Sequence, residues 1–415
     1  MSAKYTPPEL SEFIAAQPQV AKVAQRTPLV TSRFLADLLR VPELYLKCEN
    51  LQRTGSYKLR GAYNHIANLA KSSGVTHVVA ASAGNHAQGV AYAARELGLQ
   101  ATIFMPRGVA LPKLQATRNY GADIVLGGIN VDETLAAANV FAAKESAHFV
   151  PPFDDHDVII GQGTVGLEMF TAAPELETII VPVGGGGLIS GIAVVAKRLT
   201  ARQGRHVRVI GVQAENVASF ENSLAAGEPI AVNSSNSTIA DGIAVFKPGH
   251  RNLAVVRDYV DEIVTVSDED IARAIVILFE RAKLVVEPAG AAAVAAIVAG
   301  KVHATGVTAV VLSGGNIDPL LMQRVIGHGL AAASRYLKLR ILLPDHPGQL
   351  VRTAEIVARQ NANVVEVLHT RHTTELPVSD VELELHIETR GEEHGREVVD
   401  ALESAGYVVR VRERY

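Results

Sequence analysis

From Val75 to about Pro319, short apolar runs alternate with stretches of helical periodicity. Val75–Ala81, Ala101–Met105 (ended by Pro106) and Ile124–Leu126 read as strands. His86–Leu97 and Pro112–Tyr120 read as helices between them. A second set follows at Thr178–Val183, Arg208–Val212 and Thr308–Leu312, with an alanine-rich helix over Ala289–Ala299. The runs are short and rich in β-branched residues, as in strands covered on both faces. Such strands alternating with helices predict parallel sheets joined by crossover helices. Pro151-Pro152 cannot continue a ladder and marks a boundary.

The pattern changes near Ser334: charge density rises and the alanine-rich texture ends. Leu337–Ile341 alternates like a strand. Leu350, Ala354 and Val357 share a helical face, and Val381–Glu388 alternates strictly, a strand with one wet face. A helix around Val398–Leu402 and a strand over Val408–Val411 complete a βαββαβ module of the ferredoxin-like kind.

The length of 415 residues allows two or three domains, and an apolar content of 48% supports a substantial core. A net charge of −4 favours neither nucleic acid nor an anionic membrane surface. The lone cysteine, Cys48, excludes an internal disulfide and fits a reducing compartment. Met1–Pro8 lacks the apolar core of a signal peptide. The uncharged stretch Thr178–Ala196 contains Pro182 and five glycines, so it reads as strand, loop and helix rather than a membrane span. A soluble, cytoplasmic protein is expected, with no membrane or nucleic-acid partner.

Three glycine-containing turns follow apolar runs: Ser82-Ala83-Gly84-Asn85-His86, Gly184-Gly185-Gly186-Gly187 and Ser313-Gly314-Gly315-Asn316. Open parallel sheets place ligands there, beyond the carboxyl ends of their strands. Four successive glycines expose backbone N–H groups, and with a helix following they suit a phosphate; tight turns or close helix packing would use the same glycines. After Gly191 the chain has Ile192 and Ala193 where a P-loop needs Lys and Ser or Thr. Ser190 stands where a dinucleotide fingerprint begun at Gly185 would need its last glycine. A single phosphate monoester is the better match. Ser56-Tyr57-Lys58-Leu59-Arg60-Gly61 sets a lysine among small and polar neighbours just after Lys47–Gln52, where a strand ends. A lysine in a confined site serves as an amine nucleophile toward carbonyls. An exposed lysine opening a helix would look the same. A reactive amine and a phosphate cradle together suggest pyridoxal phosphate.

On these residues the chain resembles the threonine and serine dehydratases. Ser56–Ala62 is similar to their cofactor-lysine motif; Ser82–Gly89, the glycine run from Gly184 and Ser313–Asp318 resemble three further motifs. The resemblance spans roughly residues 20 to 325. It implies an α/β fold: the two-domain, tryptophan-synthase-β-like fold type II of pyridoxal-phosphate enzymes. Residues 1–50 and 151–330 would form the large cofactor-binding domain and 51–150 the small catalytic domain. Residues 335–415, with Pro344–Leu350, resemble an α+β ACT-type regulatory domain.

By resemblance, Lys58 is the Schiff-base lysine and the base that removes the α-proton. Gly184, Gly185, Gly186, Gly187 and Leu188 would bind phosphate through main-chain N–H groups. Asn85 would hydrogen-bond the ring hydroxyl, and Ser313 would meet the pyridine nitrogen. Ser82, Ala83, Gly84, Asn85 and His86 would grip the substrate carboxylate. A hydroxyl beside the pyridine nitrogen makes the ring a weak electron sink, which favours elimination over transamination. Asn85 and His86 would equally cap a helix, His86 would equally be a packed core histidine, and Ser313 a turn serine. Glu287 could lie near the ring or simply begin a helix.

The family's racemases carry a serine as second acid/base in the glycine–asparagine loop; Ala83 stands there, so dehydration outranks racemisation. Its divalent-cation site uses carboxylates where this chain has Gln213 and Ser219, and Glu215 alone suits a hard dication poorly; no metal is expected. The leading expectation is a threonine dehydratase that also accepts serine, yielding 2-oxobutanoate or pyruvate and ammonia. The alternatives are another fold-type-II enzyme (a hydroxyaspartate dehydratase, a serine racemase-like enzyme or a sulfhydrylase) and a catalytically silent amino-acid sensor. An amino-acid effector at the C-terminal module and a homo-oligomer, dimer or tetramer, are also expected.

Overall fold

The computed structural model describes residues 5–233, 235–332, 334–371 and 380–411. They fall into two compact units that part between Pro319 and Leu320.

The first unit carries two sheets. The larger has six strands in the order Leu29–Thr31, Leu44–Cys48, Thr308–Leu312, Thr178–Pro182, Arg208–Ala214, Glu262–Val266. Only the first pair is antiparallel. Every residue of Thr178–Pro182 and Thr308–Leu312 is buried, which accounts for their unbroken apolar character. The smaller sheet has four parallel strands in the order Asp123–Leu126, Gln100–Met105, His77–Ala81, His148–Phe149. Crossover helices cover both, as the alternating pattern predicts.

Boundaries move by one or two residues from the predicted ones: helices run over Asn85–Glu96, Leu111–Asn119 and Pro288–Val298. The strand predicted from Val75 starts at His77. Glu262–Val266 is an edge strand, mostly half-buried, and its acidic start hid it from an apolar-run reading. Pro151-Pro152 lies where the chain leaves the smaller sheet for the helix His156–Ala172. No helix among the described residues is long and apolar enough to cross a membrane.

The second unit begins within the helix Pro319–Ala332, at Leu320, and continues as strand Tyr336–Pro344, helix Gln349–Arg359, strands Asn363–Thr370 and Asp380–Glu388, helix Glu392–Ser404 and strand Val408–Val411. The sheet is antiparallel, in the order Asn363–Thr370, Asp380–Glu388, Tyr336–Pro344, Val408–Val411. This is the ferredoxin-like βαββαβ arrangement. Leu339, Ile341, Leu343, Val381, Leu383, Leu385 and Ile387 meet Val398 and Leu402 in its core. The helix Gln349–Arg359 is rotated from the predicted face: Thr353 and Val357 are buried, while Leu350 stays 42% exposed.

Candidate active site

Four loops at the carboxyl ends of parallel strands meet in the first unit. The loop after Thr308–Leu312 is zipped onto the segment before Lys58. Gly315 N–H donates to the Gly55 carbonyl at 2.9 Å, and Tyr57 N–H to the Ser313 carbonyl at 3.2 Å. Asn316 Nδ2 donates to the Thr54 carbonyl at 2.7 Å and to Asn85 Oδ1 at 2.8 Å, which ties in the Ser82–His86 turn.

Lys58 opens the helix Lys58–Ser73, and its Nζ donates to the Pro152 carbonyl at 3.0 Å. Burial pushes this amine down to about 8, against the opposing pull of Glu287. About a tenth of it is therefore unprotonated at pH 7, far more than of an ordinary lysine, and that is the form in which an amine attacks a carbonyl.

The four glycines bridge the strand Thr178–Pro182 and the helix Gly187–Ala201. Gly186 has φ +95°, which favours glycine, and a Cβ on Gly185 would stand 2.4–2.5 Å from the Phe153 ring. A side chain is excluded on both counts, so the loop presents bare backbone at a helix N-terminus, where N–H groups and the helix dipole favour an anion. Leu188 is buried in the first turn of that helix.

The turn after His77–Ala81 leads into the helix Asn85–Glu96, whose first N–H groups have no intrahelical acceptor. Those N–H groups suit a carboxylate. Ser82 Oγ accepts the Gly84 N–H at 3.2 Å, and Ala83 offers only a methyl group. His86 points elsewhere: its ring lies at hydrogen-bond distance from the Val150 carbonyl (3.0 Å), and burial with the nearby Lys58 charge pushes it down to about 3. It is a neutral, packed histidine that contributes backbone to the turn. Asn85 Nδ2 donates to Glu287 Oε1 at 2.6 Å. Glu287 precedes the helix Pro288–Val298 without capping it by its side chain. Its carboxyl lies against the Ser313-Gly314 loop, since a Cβ on Gly314 would meet Oε1 at 2.1 Å. Burial, reinforced by Asp241, pushes it up to about 8. Ser313 is 3% exposed and sits one residue from that contact.

Sequence reasoning missed Phe153 and Pro152, which brace the glycine loop and the lysine; the double proline read only as a boundary. It also missed Asn252, whose Nδ2 donates to the Gly185 carbonyl. At the position compared with the family's cation site, Gln213 Oε1 accepts the Phe220 N–H at 3.1 Å, Ser219 Oγ donates to the Val245 carbonyl at 2.9 Å, and Glu215 faces outward.

Residues 20–314 match the family model described as pyridoxal-phosphate dependent enzyme. The L-threonine ammonia-lyase of Geobacter sulfurreducens is 46% identical over 397 residues, 95% of this chain and 97% of that protein. The protein of the same name from Thermotoga maritima is 46% identical over 97% of this chain and 99% of its own length. The crystal structure of a T.th. threonine deaminase superposes with a TM-score of 0.70 at 39% identity. It is matched over 99% of its length by 75% of this chain.

Proposed function

The chain belongs to the family of pyridoxal-phosphate-dependent enzymes, and from that membership we propose its reaction: the β-elimination of L-threonine, and also of L-serine, to a 2-oxo acid and ammonia. The observation that carries the reading is Lys58 Nζ, an amine pushed down to about 8 where the four loops converge. The site's residues fit pyridoxal phosphate: a nucleophilic amine for the aldehyde and a side-chain-free helix N-terminus for the phosphate. Near-complete coverage of relatives named L-threonine ammonia-lyase supports threonine as substrate.

Bound pyridoxal phosphate supplies the electron sink that weakens bonds at the substrate α-carbon. The protein does the rest. Lys58 Nζ holds the cofactor between turnovers and then accepts the α-proton. Gly184–Leu188 hold the phosphate through main-chain N–H groups. The turn Ser82–His86 holds the substrate carboxylate, Asn85 the ring hydroxyl and Ser313 the ring nitrogen. Ala83 has no proton to give, so a proton taken by Lys58 is not returned to the opposite face. Elimination follows: the β-hydroxyl leaves as water, and hydrolysis of the resulting enamine returns that water to give 2-oxobutanoate and ammonia.

Three finer points belong to the same proposal. Residues 1–50 and 151–330 act as the cofactor domain and 51–150 as the small catalytic domain, in the cytoplasm. Residues 335–415 act as an ACT-type module that binds an amino-acid effector between subunits of a dimer or tetramer. The match of its βαββαβ order to the ferredoxin-like pattern supports that part. The test is direct: purified enzyme incubated with L-threonine or L-serine should release oxo acid and ammonia in equal amounts, and Lys58→Ala should not. Cofactor-loaded enzyme that yields no oxo acid from either substrate, or a Lys58→Ala variant as active as the parent, would sink the proposal.

A further inference from the structure

The segment Pro152-Phe153-Asp154 touches both the Lys58 amine and the glycine loop. The Pro152 carbonyl accepts from Lys58 Nζ at 3.0 Å. The Phe153 ring fills the space where a Cβ on Gly185 would stand. The Asp154 carboxylate accepts backbone N–H groups of His250, Arg251 and Asn252 at 3.0, 2.9 and 3.3 Å, fixing the start of the helix His250–Tyr259.

Asn252 closes the circle. Its side chain is 0% exposed. Its Nδ2 donates to the Gly185 carbonyl at 2.9 Å and to the Phe153 carbonyl at 3.1 Å. One amide thus clamps the glycine loop to the segment that holds Lys58. The peptide plane explains what the clamp does. A trans peptide points its C=O and the following N–H in opposite directions. With the Gly185 carbonyl drawn to buried Asn252, the Gly186 N–H must point the other way. Glycine takes the φ of +95° at Gly186 as readily as other values, so an external anchor decides how that peptide is turned. The Asn252 Oδ1 has no partner among the described residues, so the donor half alone carries the interaction.

We propose that Asn252 is a positioning residue of the phosphate cradle: it sets the orientation of the Gly185–Gly186 peptide and locks it to the strap that carries the Lys58 amine. This inference rests on the cofactor part of the proposed function. It needs nothing from the identity of the substrate.

Asn252→Asp keeps shape and volume while replacing the donor by a second acceptor facing two carbonyls. The enzyme is freed of cofactor with hydroxylamine and titrated with pyridoxal phosphate and with pyridoxal, which lacks the phosphate. Circular dichroism checks the fold. In the variant, the dissociation constant for pyridoxal phosphate should rise at least tenfold, while that for pyridoxal changes less than threefold. Asn252→Ser retains a small donor and should fall in between; it carries the same comparison if the aspartate variant fails to fold. Equal weakening of both ligands would mark Asn252 as merely structural and overturn the proposal, as would a variant that keeps its affinity for the phosphate form within twofold. Those outcomes leave the lysine and the reaction untouched. A parent enzyme with no preference for pyridoxal phosphate over pyridoxal would instead overturn the phosphate cradle, and Asn252's role with it.

Discussion

At Glu287 burial outweighs the counter-charges around it. Lys113 and Lys58 pull the carboxyl down and the Asn85 amide favours its charged form, yet burial and the Asp241 carboxylate hold it at about 8. Lys113 is itself paired with Asp241. Near pH 7 the carboxyl is therefore largely neutral. The sign of the stability effect follows from linkage. The folded-state pKa is raised, so whatever Glu287 contributes is fully present below about 4.5 and is lost as pH rises through about 8. Glu287→Gln keeps the shape and still accepts from Asn85, but cannot ionise. In the cofactor-free enzyme, the Tm of the variant minus that of the parent should grow from pH 5 to pH 9. Thermal melts across that range check it, and a constant difference would show that the carboxyl ionises normally. Glu287 was half-legible in the sequence: Val286-Glu287-Pro288 signals a helix start, but its contact with Asn85 spans 202 residues and no local pattern records it.

The elements that present Lys58 are held by a buried cluster of charges. Arg60, two residues along the same helix, donates to Glu49 through Nε and Nη2, each at 2.8 Å. It reaches Glu168 on the helix His156–Ala172 through Nη1 at 2.7 Å. Lys47, on the strand Leu44–Cys48, adds a contact to Glu168 at 2.6 Å. Arg60 and Lys47 are 1% exposed and Glu49 0%. Glu49 and Glu168 hold the guanidinium above its usual pKa, and Arg60 with Lys47 holds the Glu49 carboxyl below its own, both against burial. Removing one partner leaves a desolvated charge uncompensated, at a cost of about 3–5 kcal/mol. Arg60→Met should lower the urea midpoint by a corresponding amount. Arg60→Lys, which keeps the charge but loses the two-pronged geometry, should lose less. A methionine variant as stable as the parent would mean that the cluster only balances its own desolvation. The strands and helices around it were readable because their signals are local: β-branched runs, glycine turns, a proline after a strand. The cluster was not. Arg60 and Glu168 stand 108 residues apart, and in the sequence each is an ordinary charged residue.

The molecule divides between Pro319 and Leu320, and the division carries a functional consequence. All four loops, Lys58, Glu287 and Asn252 lie in the first unit, as do both parallel sheets. The T.th. threonine deaminase is matched almost end to end by three quarters of this chain, so its length has no room for a counterpart of the remainder. The second unit has its own antiparallel sheet and its own apolar core. Composition marked this change near Ser334. The helix Pro319–Ala332 groups with the second unit from Leu320 on, ahead of that change in composition. A chain ending at Pro319 should therefore bind pyridoxal phosphate and deaminate threonine with a kcat within about threefold of the full chain. If the second unit is the effector module, the truncated enzyme should also have a threonine saturation curve indifferent to isoleucine and valine. The full chain's curve should shift with at least one of them. Initial rates over a threonine series, with and without each amino acid, separate the outcomes. A truncated enzyme that responds as the full chain does would place the effector site in the first unit. One that folds and binds cofactor but has lost turnover would show that the second unit supports catalysis rather than regulating it.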